Sequence, residues 1–221
     1  MSRYISITVL AICSVATAAC VNPAANKSKA NVANATQESN AKPEAAETLA
    51  ITPENAKVEF TAAKITRKHE GSFKKFSGAI DLVPSRVEAS RVMIDIDAAS
   101  VVTDEDQLTE HLKTPDFFDV ARFPKATFVS TKIEPGKDGG AAYTVTGNFE
   151  LHGVKKSISF PATVQVAADT VAVNAEFSIN RQDFGLVYPG KADDLIRDGV
   201  VIKLLLKVPR TKAPTRSISN P

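Results

Sequence analysis

Apolar and polar residues alternate along most of the chain between positions 57 and 208, which is the period-two pattern of half-buried β-strands. In the stretch "AYTVTGNFEL", Tyr143, Val145 and Phe149 fall on one face, and Thr144 and Asn148 fall on the other. The pattern predicts eight strands, in the segments 57–62, 73–82, 91–97, 126–133, 142–151, 157–166, 170–179 and 200–208. The segment 126–133 is ambiguous, because its apolar residues do not share one face.

Strands of this kind, joined mainly by turns, pair antiparallel. The segment "PGKDGG" at 135–140 has the composition of a hairpin turn. Eight long antiparallel strands either close into a barrel or pack as two sheets. The interior of an eight-stranded barrel is filled by side chains or holds one small ligand. The alternation alone leaves both a solid and a hollow barrel open.

One segment, "TDEDQLTEHLK" at 103–113, has the features of a helix. Thr103 is a good N-cap, and acidic residues occupy the first turn, where the helix dipole favours negative charge. Leu108 and Leu112 lie four residues apart on one face, and Pro115 ends the helix. Because this helix connects two strands, we expect it to lie across an end of the barrel.

The two ends of the chain differ in composition from the alternating region. Residues 1–20 combine one arginine, an apolar run and small residues, which is typical of a secretory signal peptide. The ending "TAAC" is similar to a lipobox, so we expect Cys20 to be lipidated and the protein to be anchored to the outer membrane. Cleavage without lipidation, giving a soluble periplasmic or secreted protein, is the alternative. Residues 21–51 and 209–221 lack aromatic residues, and we predict a flexible tether and a flexible tail around one domain at 52–208.

The overall charge gives no reason to expect nucleic acid as a partner. Lys and Arg total 27 against 25 Asp and Glu, for a formal net charge of +2. Apolar residues make up 43% of the chain, and phenylalanine occurs 11 times while tryptophan is absent. The apolar surface is therefore carried mainly by side chains without a polar tip.

The densest group of candidate chemistry lies at the end of the predicted helix. His111, Asp116 and Asp119 are metal ligands by type, but their spacing fits no familiar zinc pattern. We expect the two aspartates to cap or pair locally. Phe117 or Phe118 is expected to be buried, closing one end of the barrel or touching a bound chain.

Other polar residues also favour structural roles over catalysis. His69 lies in a basic segment and is expected to be solvated, and His152 is expected at a turn or strand end. Arg181 and Asp183 are two residues apart, and we interpret them as an ion pair or a backbone clamp. The loop at 189–196 is a candidate gate for one end of the barrel. The sequence contains no G-x-S-x-G elbow and no phosphate-binding glycine loop.

Several longer segments carry a resemblance to a known family. They are "HLKTPDFFDVARFPKATFVSTKI" at 111–133, "TGNFELHGVKKSISFP" at 146–161 and "INRQDFGLVYPGKADDLIRDGVVIKLLL" at 179–206, and "GSFKKFSGAIDL" at 71–82 matches more loosely. In their order and spacing they resemble the YceI-like family of lipocalin-like, polyisoprenoid-binding periplasmic proteins of bacteria. The resemblance runs from residue 58 to residue 206.

The resemblance implies an all-β fold, namely an eight-stranded antiparallel lipocalin-like barrel with a helix across one end and an apolar tunnel. It implies binding, sequestration or transport of an amphiphilic isoprenoid lipid, either a polyisoprenoid or an isoprenoid quinone, with no catalytic residue, metal or further cofactor. Burial of a prenyl chain at about 25 cal/mol per Å² would supply the affinity. We expect the ligand to be lined by Phe60, Phe76, Ile94, Ile96, Phe117, Phe118, Phe128, Phe149, Phe160, Phe177 and Leu204.

Two alternatives stay open beside this expectation. One is an enzyme that acts on a lipid or a small stress-related substrate inside the same barrel. The other is a structural envelope lipoprotein with a filled barrel. Related domains also suggest a homodimer.

Overall fold

The computed structural model of the protein describes residues 22–39, 41–136 and 142–210. The predicted signal peptide with Cys20, most of the predicted turn at 135–140 and the end of the tail lie outside these residues. The described chain forms one short α-helix and fourteen β-strands. They are α1 (Asp106–Leu112), β1 (Asn31–Asn34), β2 (Glu47–Ile51), β3 (Ala56–Ala63), β4 (Lys68–Phe73), β5 (Phe76–Leu82), β6 (Arg91–Asp97), β7 (Val101–Thr103), β8 (Lys125–Pro135), β9 (Ala142–Leu151), β10 (Val154–Val166), β11 (Thr170–Asn180), β12 (Gly190–Lys191), β13 (Asp194–Leu195) and β14 (Gly199–Pro209).

Twelve of the strands form one antiparallel sheet, which curls strongly into a half-barrel. The order along the sheet is β2-β5-β6-β8-β9-β10-β11-β14-β3-β4-β7, and β1 pairs with β10 beside this path. The short strands β12 and β13 pair only with each other in the described chain. The mainly antiparallel β fold is confirmed, but the predicted count of eight strands is wrong.

The alternation located the long strands and missed the short ones. Each of the eight predicted segments overlaps a long observed strand, namely β3, β5, β6, β8, β9, β10, β11 and β14. The six strands that were not predicted contain two to six residues each. So few residues show too little alternation to stand out, and β1, β2, β4 and β7 are held in the large sheet by pairing with other strands.

A register shift in β8 explains the ambiguous alternation at 126–133. The pairing of β8 with β9 is irregular between Ser130 and Lys132. A bulge adds one residue to a strand and reverses the face on which the following side chains lie. Phe128 before the shift and Ile133 after it can therefore both belong to the core, although they are an odd number of residues apart.

The segment 21–51 differs from the predicted flexible tether at its two strands. β2 pairs with β5, and Leu49 and Ile51 are buried in the core. β1 pairs with β10, and Ala30 beside it is buried as well. The composition of the whole segment is polar, and that average conceals these few apolar side chains. The prediction of a tether is therefore wrong for β1 and β2.

Helix α1 is shorter than predicted. Its N-cap is Glu105, and Thr103 belongs to β7. The Thr103 hydroxyl accepts a hydrogen bond from the Glu105 backbone N–H at 3.3 Å, so it supports the turn before the helix without capping it. The helix ends at Leu112, which is buried, before the proline at position 115.

Candidate functional site

The curled sheet encloses a cavity of about 210 Å³. Its wall is formed mainly by side chains at alternating positions of the long strands, as in β11 with Val173, Ala175, Phe177 and Ile179. Within the described residues the surface of this wall is apolar throughout. The site can therefore accept a hydrocarbon, but it offers no hydrogen-bond partner to a polar ligand.

Small inward-facing residues leave the space that makes the cavity. The alanines on its wall are Ala56, Ala62, Ala126, Ala162 and Ala175. Large aromatic side chains surround them: the rings of Phe160 and Phe177 stack 4.1 Å apart between centroids. The alanines were not among the predicted lining residues, although their positions in the alternation place them on the inner face.

Ten of the eleven predicted ligand-lining residues border the cavity. They are Phe60, Ile94, Ile96, Phe117, Phe118, Phe128, Phe149, Phe160, Phe177 and Leu204. The prediction is wrong for Phe76, which is buried in the hydrophobic core and does not line the cavity. Alternation identifies the inner face of the sheet, but it does not tell which inner side chains border empty space.

The segment around α1 closes one end of the cavity. Leu112, Phe117 and Phe118 reach its wall from the helix and the turn that follows. The ring of Phe117 meets Tyr188 edge-on at 5.3 Å between centroids. The prediction that Phe117 or Phe118 is buried is confirmed, because Phe117 is only 7% exposed. The loop after β11 closes the same end, since Leu186 and Ile196 also line the cavity.

Arg181 holds this loop through backbone carbonyls. It is 5% exposed, and its guanidinium donates hydrogen bonds to the carbonyl of Leu186 and, at 3.3 Å, to that of Arg197. The backbone clamp that the sequence suggested is confirmed. The ion pair with Asp183 is wrong, because β11 gives way to a 3₁₀ turn at Arg181, and the acidic partner is Asp198 at 3.1 Å.

The candidate metal ligands near α1 pair locally. His111 Nε2 lies 2.8 Å from Asp116 Oδ2, and Asp119 accepts a hydrogen bond from Arg122 at 3.4 Å. In the part of the chain that the structure describes, no three His, Cys, Asp or Glu side chains are grouped as metal ligands. The local pairing predicted for the two aspartates is confirmed.

The other two histidines take separate structural positions. His69 was expected to be solvated, but it lies in β4, is 5% exposed and is hydrogen-bonded through Nδ1 to Asp104 at 3.0 Å. The expectation is wrong because β4 is a strand of the sheet and not a loop. His152 occupies a turn with a positive φ of 52° and packs edge-on against Phe123. The predicted position of His152 at a turn or strand end is confirmed.

A second set of polar contacts ties the loop after β11 to the turn between β3 and β4. The Thr66 hydroxyl donates to Asp194 Oδ1 at 2.9 Å, and the Lys64 ammonium lies 3.5 Å from Asp194 Oδ2. Desolvation acts to raise the pKa of Asp194, but the hydrogen bonds from Thr66 and the charge of Lys64 outweigh it and hold the pKa below its usual value. Exposed apolar side chains lie in the same two segments, at Ile65, Val187 and Leu195.

Curated relatives match a large part of the domain. A UPF0312 protein of Pseudomonas putida is 33% identical over 126 residues, which are 54% of this chain and 65% of the relative. A UPF0312 protein of Pseudomonas fluorescens is 30% identical over 132 residues, which are 57% of this chain and 68% of the relative. The chain thus covers less than two thirds of the length of the Pseudomonas putida relative. None of the helices in the described residues has the length and apolar character needed to cross a bilayer.

Solved structures share the fold. Burkholderia cenocepacia BcnA superposes with a TM-score of 0.62 at 28% identity, covering 71% of this chain and 96% of that one. The YCEI protein of Campylobacter jejuni gives 0.54 at 25% identity, covering 64% and 85%. A polyisoprenoid binding domain from Saccharophagus degradans gives 0.59 at 18% identity, covering 75% and 99%. The sequence profile of the YceI-like domain matches residues 49–208, and the protein therefore belongs to the YceI-like domain family.

Proposed function

We propose that the protein binds the hydrocarbon part of an isoprenoid lipid in the cavity of its curled sheet. The observation that carries the proposal is the wall of this cavity, which is apolar throughout among the described residues. A polar ligand would lose its hydrogen bonds to water there and gain none in return. A prenyl chain has no such bonds to lose, and its transfer from water to the cavity is favourable.

The size of the cavity supports a chain-like ligand that enters by displacing the wall. An apolar cavity of about 150 Å³ holds one benzene molecule, and typical ligand pockets measure about 300–1,000 Å³. At about 210 Å³ the cavity accommodates only a short stretch of hydrocarbon. A longer prenyl chain therefore requires the lining side chains to move apart.

The comparisons support the same ligand class. The family is the YceI-like domain family, and the Saccharophagus degradans neighbour is a polyisoprenoid binding domain. At 18% identity this neighbour contributes the fold, so the choice between a polyisoprenoid and an isoprenoid quinone rests on experiment. A homodimer, which the resemblance implies, stays a prediction.

The proposed role is binding, sequestration or transport, and not catalysis. An enzyme in this cavity would need polar side chains that converge on a substrate. His111 instead contacts Asp116, His152 contacts Phe123, and the Arg181 guanidinium is engaged by carbonyls and a carboxylate. The presence of the cavity argues against a completely filled barrel.

We place the protein in the bacterial cell envelope. The apolar run at 1–20 and the lipobox-like "TAAC" support export, followed by lipidation of Cys20 and anchoring to the outer membrane. A soluble periplasmic protein is the alternative. Labelling of growing cells with an alkyne fatty acid distinguishes them: Cys20→Ser abolishes labelling if this cysteine is acylated, and an unlabelled wild-type protein rules the anchor out.

The binding proposal is tested by organic extraction of the purified, folded protein followed by mass spectrometry. We expect a co-purified lipid whose mass and fragments contain repeating isoprene units. A folded protein that carries no such lipid, and that also takes up no added geranylgeraniol, contradicts the proposal.

A further inference from the structure

The sheet is split between β10 and β11 over part of their length. The two strands pair directly from Thr163–Val166 to Val171–Asn174. Towards the N-terminal end of β10, before Thr163, the two strands separate, and the segment 28–34, which contains β1, lies between them. β1 pairs antiparallel with β10, from Asn31 opposite Ser159 to Asn34 opposite Lys156.

The same segment is bonded to β11 on its other side. The Ala30 backbone N–H donates to the Ser178 carbonyl at 2.8 Å, and the Ser178 N–H donates to the Ser28 carbonyl at 2.9 Å. Lys29 and Ser178 form a parallel bridge, as expected for a strand inserted between two antiparallel ones. We call residues 28–34 the closing strand and the space that they fill the seam.

The seam opens on the cavity wall. Ile158 of β10 and Ile179 of β11 flank it, and both line the cavity. Val32 is registered opposite Ile158, and its side chain packs against the core, as does that of Ala30. Adjacent strands lie about 4.8 Å apart, so removal of one strand leaves about 9–10 Å between the neighbouring backbones. A hydrocarbon chain passes through a gap of this width.

Apart from its backbone pairing, few side-chain contacts hold the closing strand in the seam. Ala30 and Val32 are its only apolar side chains that pack against the core. The flanking ion pairs, Lys27 with Glu176 at 2.8 Å and Glu38 with Lys155 at 3.5 Å, are partly exposed to solvent and contribute little. Such a segment opens locally at a much smaller free energy than the whole domain. The sequence profile of the family matches residues 49–208, so the closing strand lies outside the matched range.

We propose that the seam is a lateral portal into the cavity and that residues 28–34 are its removable closing strand. The inference rests on the proposed hydrocarbon ligand. Displacement of the closing strand exposes Ile158 and Ile179 and lets a prenyl chain enter or leave between β10 and β11. In the sequence, the closing strand begins eight residues after Cys20, the predicted lipidation site.

The portal is tested by locking the closing strand to β10. Ala33→Cys with Ser157→Cys places two cysteines at directly paired positions, in the full chain carrying Cys13→Ser and Cys20→Ser. The matched control is Thr146→Cys with Ser159→Cys, because these side chains are 2.7 Å apart and join β9 to β10 without crossing the seam. Exchange of tritiated geranylgeraniol with phosphatidylcholine vesicles is measured for oxidised and reduced protein.

Oxidation of the seam variant is expected to slow both uptake and release at least about tenfold, reversed by dithiothreitol, while the control pair leaves both rates unchanged. Ala30→Asp, which places a charge on the buried face of the closing strand, is expected to speed release at least about threefold in a folded protein. Equal rates in the oxidised and reduced seam variant, with the lipid still bound, overturn the portal alone and indicate passage at the α1 end. The absence of binding in every form refutes the proposed function and the portal together.

Discussion

Substitution of Arg181 tests whether this buried cation is a structural clamp or a ligand contact. In Arg181→Met the long apolar stem is kept, but the hydrogen bonds to the Leu186 and Arg197 carbonyls are lost. Hydrogen bonds from charged donors contribute about 1.5–3 kcal/mol each. The substituted side chain no longer carries a buried charge, which offsets part of the loss. Since Asp198 is 48% exposed and becomes hydrated, we expect a net loss of about 3 kcal/mol in the free energy of unfolding.

Urea unfolding at neutral pH, followed by circular dichroism, measures this loss. With a denaturant slope of about 2 kcal/mol per M, the midpoint of Arg181→Met is expected to fall by about 1.5 M. The matched control, Asp198→Asn, removes only the partly exposed partner and is expected to cost less than about 1 kcal/mol. If both variants shift the midpoint equally, the carbonyl clamp is wrong. If Arg181→Met leaves the midpoint unchanged and weakens lipid binding, Arg181 contacts the ligand.

Three further predictions follow from the packing and the charges around the cavity. Phe117→Ala is expected to lower the free energy of unfolding by about 3 kcal/mol and to speed lipid release, whereas Asp116→Asn is expected to change stability by less than about 0.5 kcal/mol. Equal urea midpoints in the two variants would count against closure of this end of the cavity by the Phe117 ring. Gly147→Ala is expected to cost about 1–3 kcal/mol of stability, because the added Cβ meets a backbone carbonyl of β8. Gly71→Ala is expected to cost less, because its Cβ meets only a phenyl ring beside the cavity. Thermal unfolding compares the two variants, and a larger loss of stability in Gly71→Ala contradicts this reasoning. Because the pKa of Asp194 is lowered in the folded protein, its ionised carboxylate stabilises the loop at pH values above the usual aspartate pKa, and this stabilisation is lost as the pH falls through the pKa of the folded state. Amide exchange in β13, corrected for intrinsic rates, is expected to rise on acidification in the wild type but not in Asp194→Asn.

The long strands and most of the cavity lining could be predicted from the sequence because both depend on local alternation. A strand that buries one face must place an apolar residue at every second position, as in β11 with Val173, Ala175 and Phe177. Phe117 and Phe118 lie in the turn after α1, but the other eight predicted residues that line the cavity follow from the same rule. It also placed Phe76 on the inner face, but it could not tell core packing from cavity wall.

The remaining features depend on contacts between segments that are distant in sequence. β1 has the sequence "NVAN", which shows no apolar alternation, and it is a strand because β10 and β11 offer free backbone groups on both sides. The 3₁₀ turn at Arg181 redirects the chain, so Arg181 pairs with Asp198 and not with Asp183, although Asp183 is only two residues away in sequence. His69 is buried through its place in β4, which the flanking lysines and arginine concealed.

Blocking the cavity tests the central claim most directly. Ala175 faces the cavity from the middle of β11, and Ala172 lies on the opposite face of the same strand. We expect Ala175→Phe to fill much of the cavity and to weaken geranylgeraniol binding by at least about tenfold, or about 1.4 kcal/mol, while Ala172→Phe binds like the wild type. Equal binding by the wild type and by a folded Ala175→Phe would contradict the account, because the lipid would then lie elsewhere on the protein.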